Sequence, residues 1–195
     1  MGMFDFFAFA SRTKYINRWA LMRNTRYETL SEHSAEVAEI SHALAVIGNE
    51  KLGKNYNAER AALLGLYHDL PEIITGDLPT PVKYYSEETK LAYKAAEKNA
   101  SKQLLSMLPD YLRKDYESLF KKKNDDKELW RLVKSADKIC AYLKCVEERN
   151  AGNREFCEAE KAISKTLSKL DCEEAKIFIE EFLPSYEKTI DQMKK

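Results

Sequence analysis

Apolar residues return every three or four positions along most of this chain, and no sustained two-residue alternation of β-branched side chains occurs. That periodicity points to helices and leaves little room for a sheet. Thr29 and Glu32 form the pattern of a capping box, opening a helix expected to run to about Gly48 with Val37, Ile40, Leu44 and Ile47 on one stripe. Asn57 is placed to cap a second helix that points Ala61 and Leu64 inward and stops just before Pro71. The TGDLPTP segment that follows carries two prolines and a glycine, so it is expected to be irregular. Further helices are expected over 87–108, in a shorter stretch over 110–120, from Leu129 to about Asn150 with a stop near Gly152, and over 153–170 and 172–191. KKKNDDKE, between the fourth and fifth of these helices, reads as a solvated connector. The expectation is a single all-α domain, long enough at 195 residues to bury a substantial core.

Charge narrows the partners. Lysine plus arginine equals aspartate plus glutamate at 32 each, so no overall basic field exists to hold a nucleic-acid polymer. An anionic ligand must instead be held by a few local cations, and Arg12, Lys14, Arg18, Arg23 and Arg26 lie close together near the N-terminus. The four cysteines (Cys140, Cys145, Cys157, Cys172) form no CxxC pair and read as free, mostly buried thiols of a reducing cytoplasm. The N-terminal MGMFDFFAFASR is aromatic but short, broken by Asp5, and lacks a basic leading region. It is expected to be neither a signal peptide nor a membrane span.

Three histidines can be weighed one by one. His33 precedes Val37, Ile40 and Leu44 by four, seven and eleven residues, which puts it on the inward face. His42 lies nine residues beyond His33, about 180° around the helix, and should face solvent. His68 follows Ala61 and Leu64 by seven and four residues and also points inward, with Asp69 directly after it. Two inward histidines on different helices, one followed by a carboxylate, point to a shared metal site. Asp137 is a further candidate ligand, yet by helical phase it sits at the edge of its apolar stripe, and Glu147 lies closer to that stripe. Phase alone does not choose between them.

His33, then His68-Asp69, then Asp137 resembles the H…HD…D signature of the HD-domain metal-dependent phosphohydrolases. The segments INRWALMRN, SEHSAEVA, YHDLPEIITGDLPTPVKYY and VKSADKICAYLKCVEE resemble, in the same order, those of the YfbR-type bacterial 5'-deoxynucleotidases. The resemblance is loosest over 107–128 and the last 40 residues. It implies a single all-α HD fold over 1–195, with a helical core over about 15–150 and C-terminal helices over 153–191. It also implies a homodimer that hydrolyses deoxynucleoside 5'-monophosphates to deoxynucleoside and phosphate. One divalent ion per chain is implied, Co2+ favoured and Mn2+ or another first-row ion possible. Its ligands would be His33, His68, Asp69 and Asp137, which decides for Asp137 where phase did not. Glu72 would be the catalytic acid or base. Arg18 would orient the phosphate and Trp19 would contact the substrate, with His33, Asp69 and Asp137 also lining that site. Asp77, Leu78, Pro79 and Thr80 would hold the nucleoside. Leu70-Pro71 changes the turn between Asp69 and Glu72, on which the placing of Glu72 depends.

These residue types suit that chemistry. Two imidazoles and two carboxylates leave positions open on an octahedral ion for water and substrate. A divalent ion polarises a phosphoryl oxygen and lowers the pKa of bound water. Arg18 can grip phosphate oxygens with a bidentate fork, which lysine cannot. Lys83 is expected to be a solvated surface lysine. With His42 outward, no nitrogen ligand is spare for a second ion. Rival readings remain a hydrolase of nucleoside triphosphates or alarmones, which would want a richer set of cations, and a non-enzymatic helical module that binds a metal or nucleotide.

Overall fold

The computed structural model describes residues 3–121 and 124–193. Their fold is all-helical: α1 (Phe6–Ala10), α2 (Leu30–Leu52), α3 (Ala58–Tyr67), α4 (Glu72–Thr75), α5 (Thr80–Lys83), α6 (Glu87–Ser106), α7 (Asp110–Phe120), α8 (Lys127–Asn150), α9 (Cys157–Leu167) and α10 (Glu173–Glu181). No strand occurs among the described residues, where extended pairing is limited to an isolated bridge between Asn17 and Thr29. None of these helices is long and apolar enough to cross a membrane.

The Thr29 capping box forms in full, with Glu32 Oε2 accepting from the Thr29 N–H at 2.8 Å. The helix it opens does not stop at Gly48 as its glycine suggested but runs to Leu52, where Gly53 takes a φ of 63°. Gly48 serves packing instead, since a Cβ there would lie 2.7 Å from the Tyr56 ring. Asn57 caps α3 by accepting from the Arg60 N–H at 2.8 Å. Gly65 lets α3 approach α2 closely, for a Cβ at that position would meet the Ala38 Cα at 2.9 Å.

Other boundaries shift for physical reasons. The 75–81 segment is not wholly irregular. Pro81 falls at the start of the one-turn helix α5, where a missing N–H costs nothing. KKKNDDKE is not wholly solvated either, although Lys122 and Lys123 lie outside the described residues. Asp126 is buried and takes the Arg60 guanidinium at 2.8 Å, while the same arginine donates to the Ser118 carbonyl. The expected helix over 172–191 ends at Glu181, because Pro184 follows in a 3-10 turn, Leu183–Glu187. The segment over 153–170 divides into a 3-10 turn, Arg154–Phe156, and α9.

One core lies between α2, α3 and α8, with Val37, Ile40, Leu44, Leu64, Leu132 and Ile139 at its centre. Burying each such side chain stabilises by about 1.5–3 kcal/mol. A second cluster of Phe6, Leu70, Leu104, Leu105 and Leu108 docks the N-terminal aromatic segment against α6. Phe6 stands edge-on to Tyr116 at 5.1 Å. Cys140, Cys145 and Cys172 are buried and Cys157 is half-buried, all four free.

The segment before α2 is held from the far end of α8. Glu148 is fully buried and accepts from the Thr25 N–H at 2.9 Å, the Thr25 hydroxyl at 2.7 Å and the Asn153 amide at 2.7 Å. The buried Lys144 ammonium completes this cage. Burial raises the cost of ionising Glu148, but Lys144, Asn153 and Thr25 overcome it and hold the carboxyl down at about 2. Glu148→Gln should therefore cost about 3–5 kcal/mol at neutral pH, because the buried Lys144 charge loses its close partner and keeps only Glu147 at 3.7 Å. The native carboxyl lies below its ordinary value of 4.5, so this stabilisation is present above that value and is lost as pH falls toward about 2. Urea unfolding of both proteins should show a wide gap at pH 7 that narrows on acidification.

Candidate metal centre

The two inward histidines and the two aspartates meet where α2, α3 and α8 converge. His33 projects from the first turns of α2, His68 and Asp69 leave the C-terminus of α3, and Asp137 lies midway along α8. One donor atom from each lies within 4.8 Å of the others. His33 Nε2 is 3.3 Å from Asp137 Oδ1 and 3.7 Å from Asp69 Oδ2, and His68 Nε2 is 2.9 Å from the same Asp69 oxygen. His33 has no exposed surface, whereas the Asp69 and Asp137 side chains keep 26% and 24% of theirs, so the cluster opens on its carboxylate side.

The hydrogen bonding of His68 decides what fits here. Its Nδ1 lies 2.7 Å from the Gly65 carbonyl, which assigns the proton to that nitrogen and turns the Nε2 lone pair toward Asp69. Apart from Asp69, Asp137 and Glu28, His33 Nδ1, His33 Nε2 and His68 Nε2 are buried without a partner. Lone pairs converging from two imidazoles and two carboxylates repel one another unless a cation lies among them. Mixed nitrogen and oxygen donors suit a first-row divalent ion, and the Gly65 carbonyl supplies the outer contact that orients a ligating imidazole. The residues therefore fit a metal.

Titration behaviour reports the same crowding. Burial opposes a charge on His68, but Asp69, with Asp137 and the Gly65 carbonyl behind it, pushes the imidazole up to about 9. His33 is driven down, by burial first and by Arg18 second. Burial works against both carboxylates, yet His68 holds Asp69 below its usual range, and His33 with Lys138 holds Asp137 well below.

Glu72 opens α4 directly after Pro71 and is only 3% exposed. Its Oε1 takes the Lys83 ammonium at 3.0 Å and the Tyr93 hydroxyl at 3.5 Å, while its Oε2 is buried without a partner. Burial, then the Asp69 charge, pushes this carboxyl up to about 8 against the pull of Lys83. Lys83 is thus no solvated lysine. Its side chain is 23% exposed, is paired with Glu72 and lies over the Tyr93 ring at 4.5 Å.

On another side, Arg18 and Trp19 converge on one carboxylate that the helical pattern did not reveal. Glu28 Oε2 accepts from Arg18 Nη1 at 2.8 Å and Trp19 Nε1 at 3.0 Å, and its Oε1 lies 3.8 Å from His33 Nδ1. Trp19 takes a left-handed φ of 59°, a strained conformation for a bulky residue, and packs on Phe156. Burial opposes the Arg18 charge, but Glu28, Asp137, Asp77 and Asp69 more than offset it. Arg12 and Lys14 lie over the Tyr15 ring, Arg23 is taken up by Glu155 and Arg26 by Glu32 and Glu147, so of the N-terminal cations it is Arg18 that faces the cluster. Asp77 lies within its field, Leu78 and Pro79 are half-buried, and Thr80 is exposed where α5 begins. His42 is exposed, and Glu147 turns to Arg26 rather than to the cluster. Glu28 and Tyr93 had no signal in the sequence, since neither belongs to a motif or to an apolar stripe leading to the site.

A family model described as 5'-deoxynucleotidase YfbR-like matches residues 5–186. A 5'-deoxynucleotidase of Klebsiella pneumoniae strain 342 is 49% identical over 193 residues, covering 99% of this chain and 97% of that protein. A 5'-deoxynucleotidase of Photorhabdus laumondii is 49% identical over 191 residues, covering 98% and 97%. Among solved structures, an HD-domain phosphohydrolase from Listeria innocua superposes with a TM-score of 0.81 at 24% identity, covering 93% of this chain and 88% of that one. A cyanophage S-2L HD phosphohydrolase, bound to dA and one catalytic Zn2+ ion, has a TM-score of 0.62 at 21% identity and covers 93% and 96%. The two structures share the fold, and the near full-length relatives share half of the residues. The chain therefore belongs to the YfbR-like 5'-deoxynucleotidase family.

Proposed function

We propose that the protein is a metal-dependent 5'-deoxynucleotidase that cleaves deoxynucleoside 5'-monophosphates to deoxynucleoside and phosphate. The observation that carries this reading is the cluster of His33, His68, Asp69 and Asp137 with Glu72 and Arg18 beside it, in a chain half-identical to named 5'-deoxynucleotidases. His33, His68, Asp69 and Asp137 would hold a divalent ion, which would supply charge to a phosphoryl oxygen and acidity to a water molecule. The protein's own groups do the rest. Arg18, already charged and desolvated, binds the phosphate dianion with its fork of N–H donors. Glu72 is the proton carrier: a buried carboxyl near neutrality both takes a proton from the attacking water and gives one to the leaving O5'. Lys83 and Tyr93 hold its Oε1, which leaves Oε2 for that exchange.

Trp19 and the Asp77–Thr80 loop are assigned to the nucleoside. Trp19 packed near C2' would disfavour a ribose hydroxyl, and Asp77 would accept from a sugar hydroxyl. Cobalt as the preferred ion, one ion per chain, a homodimer and a cytoplasmic location complete the reading. The mixed nitrogen and oxygen donor set supports a first-row ion, the buried free thiols suit a reducing compartment, and the dimer rests on family resemblance.

Two measurements test this. Phosphate release from paired dAMP and AMP, across a panel of divalent metals, should favour dAMP with Co2+ or Mn2+. Glu72→Ala should lower turnover by about 10²–10⁴ while the protein still binds metal. Failure to release phosphate from any deoxynucleoside monophosphate would leave a binding module, and release of triphosphate from dGTP would favour the triphosphate hydrolase. In the second, Glu28→Gln weakens a charge-assisted pair that orients Arg18 and Trp19, and should cost about 10–100-fold in kcat/KM. The loss should fall mainly on KM for dAMP, with metal content unchanged.

A further inference from the structure

A cavity of about 500 Å³ opens on the carboxylate side of the cluster, reaching His68, Asp69 and Asp137 at its inner end. Its outer walls carry Lys94, Lys98 and Lys102 from α6, Lys121 from the end of α7 and Lys134 from α8. The four-residue spacing sets Lys94, Lys98 and Lys102 on one helix face, a ladder about 12 Å long. Lys121 is paired with Glu117. The other four have no ion-pair partner among the described residues, and Glu97, the carboxylate on the same wall, is already engaged by Lys83. A chain with no net charge thus concentrates unpaired ammonium groups in one groove. Neither Arg18, Trp19 nor Asp77 lines it.

We propose that this groove is a polyphosphate subsite. The inference rests on the monophosphate reading above. With the 5'-phosphate between the cluster and Arg18 and the nucleoside toward Trp19 and Asp77, a monophosphate leaves the lysine groove empty. The β- and γ-phosphates of a nucleoside triphosphate extend away from the nucleoside and enter it. Lysine is a mobile point charge that attracts phosphate without fixing its geometry, which suits retention of an anionic chain and not its cleavage. Deoxynucleoside triphosphates then compete with monophosphates for the active site, and the enzyme slows where triphosphates are abundant.

Inorganic tripolyphosphate, which carries no nucleoside, is the direct probe. Inhibition of dAMP hydrolysis by tripolyphosphate and by orthophosphate is compared in the wild type and in the Lys94→Ala/Lys98→Ala/Lys102→Ala variant, with divalent metal in excess so that chelation affects both alike. Tripolyphosphate should inhibit the wild type more tightly than orthophosphate does. The variant should lose about tenfold of that tightness, from three exposed charge contacts acting together, with orthophosphate inhibition changed less than about twofold. Equal inhibition by tripolyphosphate in both proteins, or no advantage over orthophosphate in the wild type, overturns the proposal. Should no deoxynucleoside monophosphate be hydrolysed, the monophosphate reading fails separately. Calorimetric binding of tripolyphosphate to the same two metal-loaded proteins then decides the subsite, equal affinities refuting it.

Discussion

Four buried or half-buried donor atoms facing one another within 4.8 Å are the constraint on which the rest of the structure depends. Such an arrangement is costly by itself: two carboxylates repel each other, and two imidazole lone pairs point at them. The apolar packing of α2, α3 and α8 holds the donors against that repulsion. Gly65 contributes twice, by letting α3 approach α2 and by presenting its carbonyl to His68. The upward push on His68 is the response of the cluster to its own charge, since a proton on that imidazole is one cation that relieves it.

Around this centre the fold arranges supports that reach far along the chain. Glu148, at the end of α8, fixes the backbone at Thr25 and Arg26. That backbone leads to Glu28, which holds Arg18 and Trp19 and faces the outer nitrogen of His33. The left-handed Trp19 is a strained residue kept in place by its hydrogen bond to Glu28 and by its contact with Phe156. The far end of α8 and the Arg18 guanidinium are therefore linked through two buried carboxylates. On the opposite flank Lys83 and Tyr93 hold Glu72, so that Arg18 and Glu72 each have their own partners.

Helical periodicity made the fold class and most helix positions legible, because burial of one face imposes the spacing directly. It also placed His33 and His68 inward and His42 outward. Asp137 resisted the same treatment because the cluster lies at the rim of the core, where a ligand must keep one side toward solvent. Family resemblance, not phase, singled it out. Gly48 misled because a glycine that ends a helix and one that admits a neighbouring ring look alike in sequence. Glu28, Tyr93, the half-buried, paired setting of Lys83 and the lysine groove were not legible. Each acquires its meaning from residues on other elements, and no local pattern carries that information.

The roles proposed for Arg18, Glu72 and the lysine groove all turn on a metal ion as the cation that reconciles the four donors. Anomalous diffraction at the cobalt edge, from crystals of the cobalt-loaded protein, tests this most directly. One peak per chain is expected, among a nitrogen of His33, a nitrogen of His68 and an oxygen each of Asp69 and Asp137. A second ion in the same chain, a peak at other residues, or a cluster that binds no metal would contradict it.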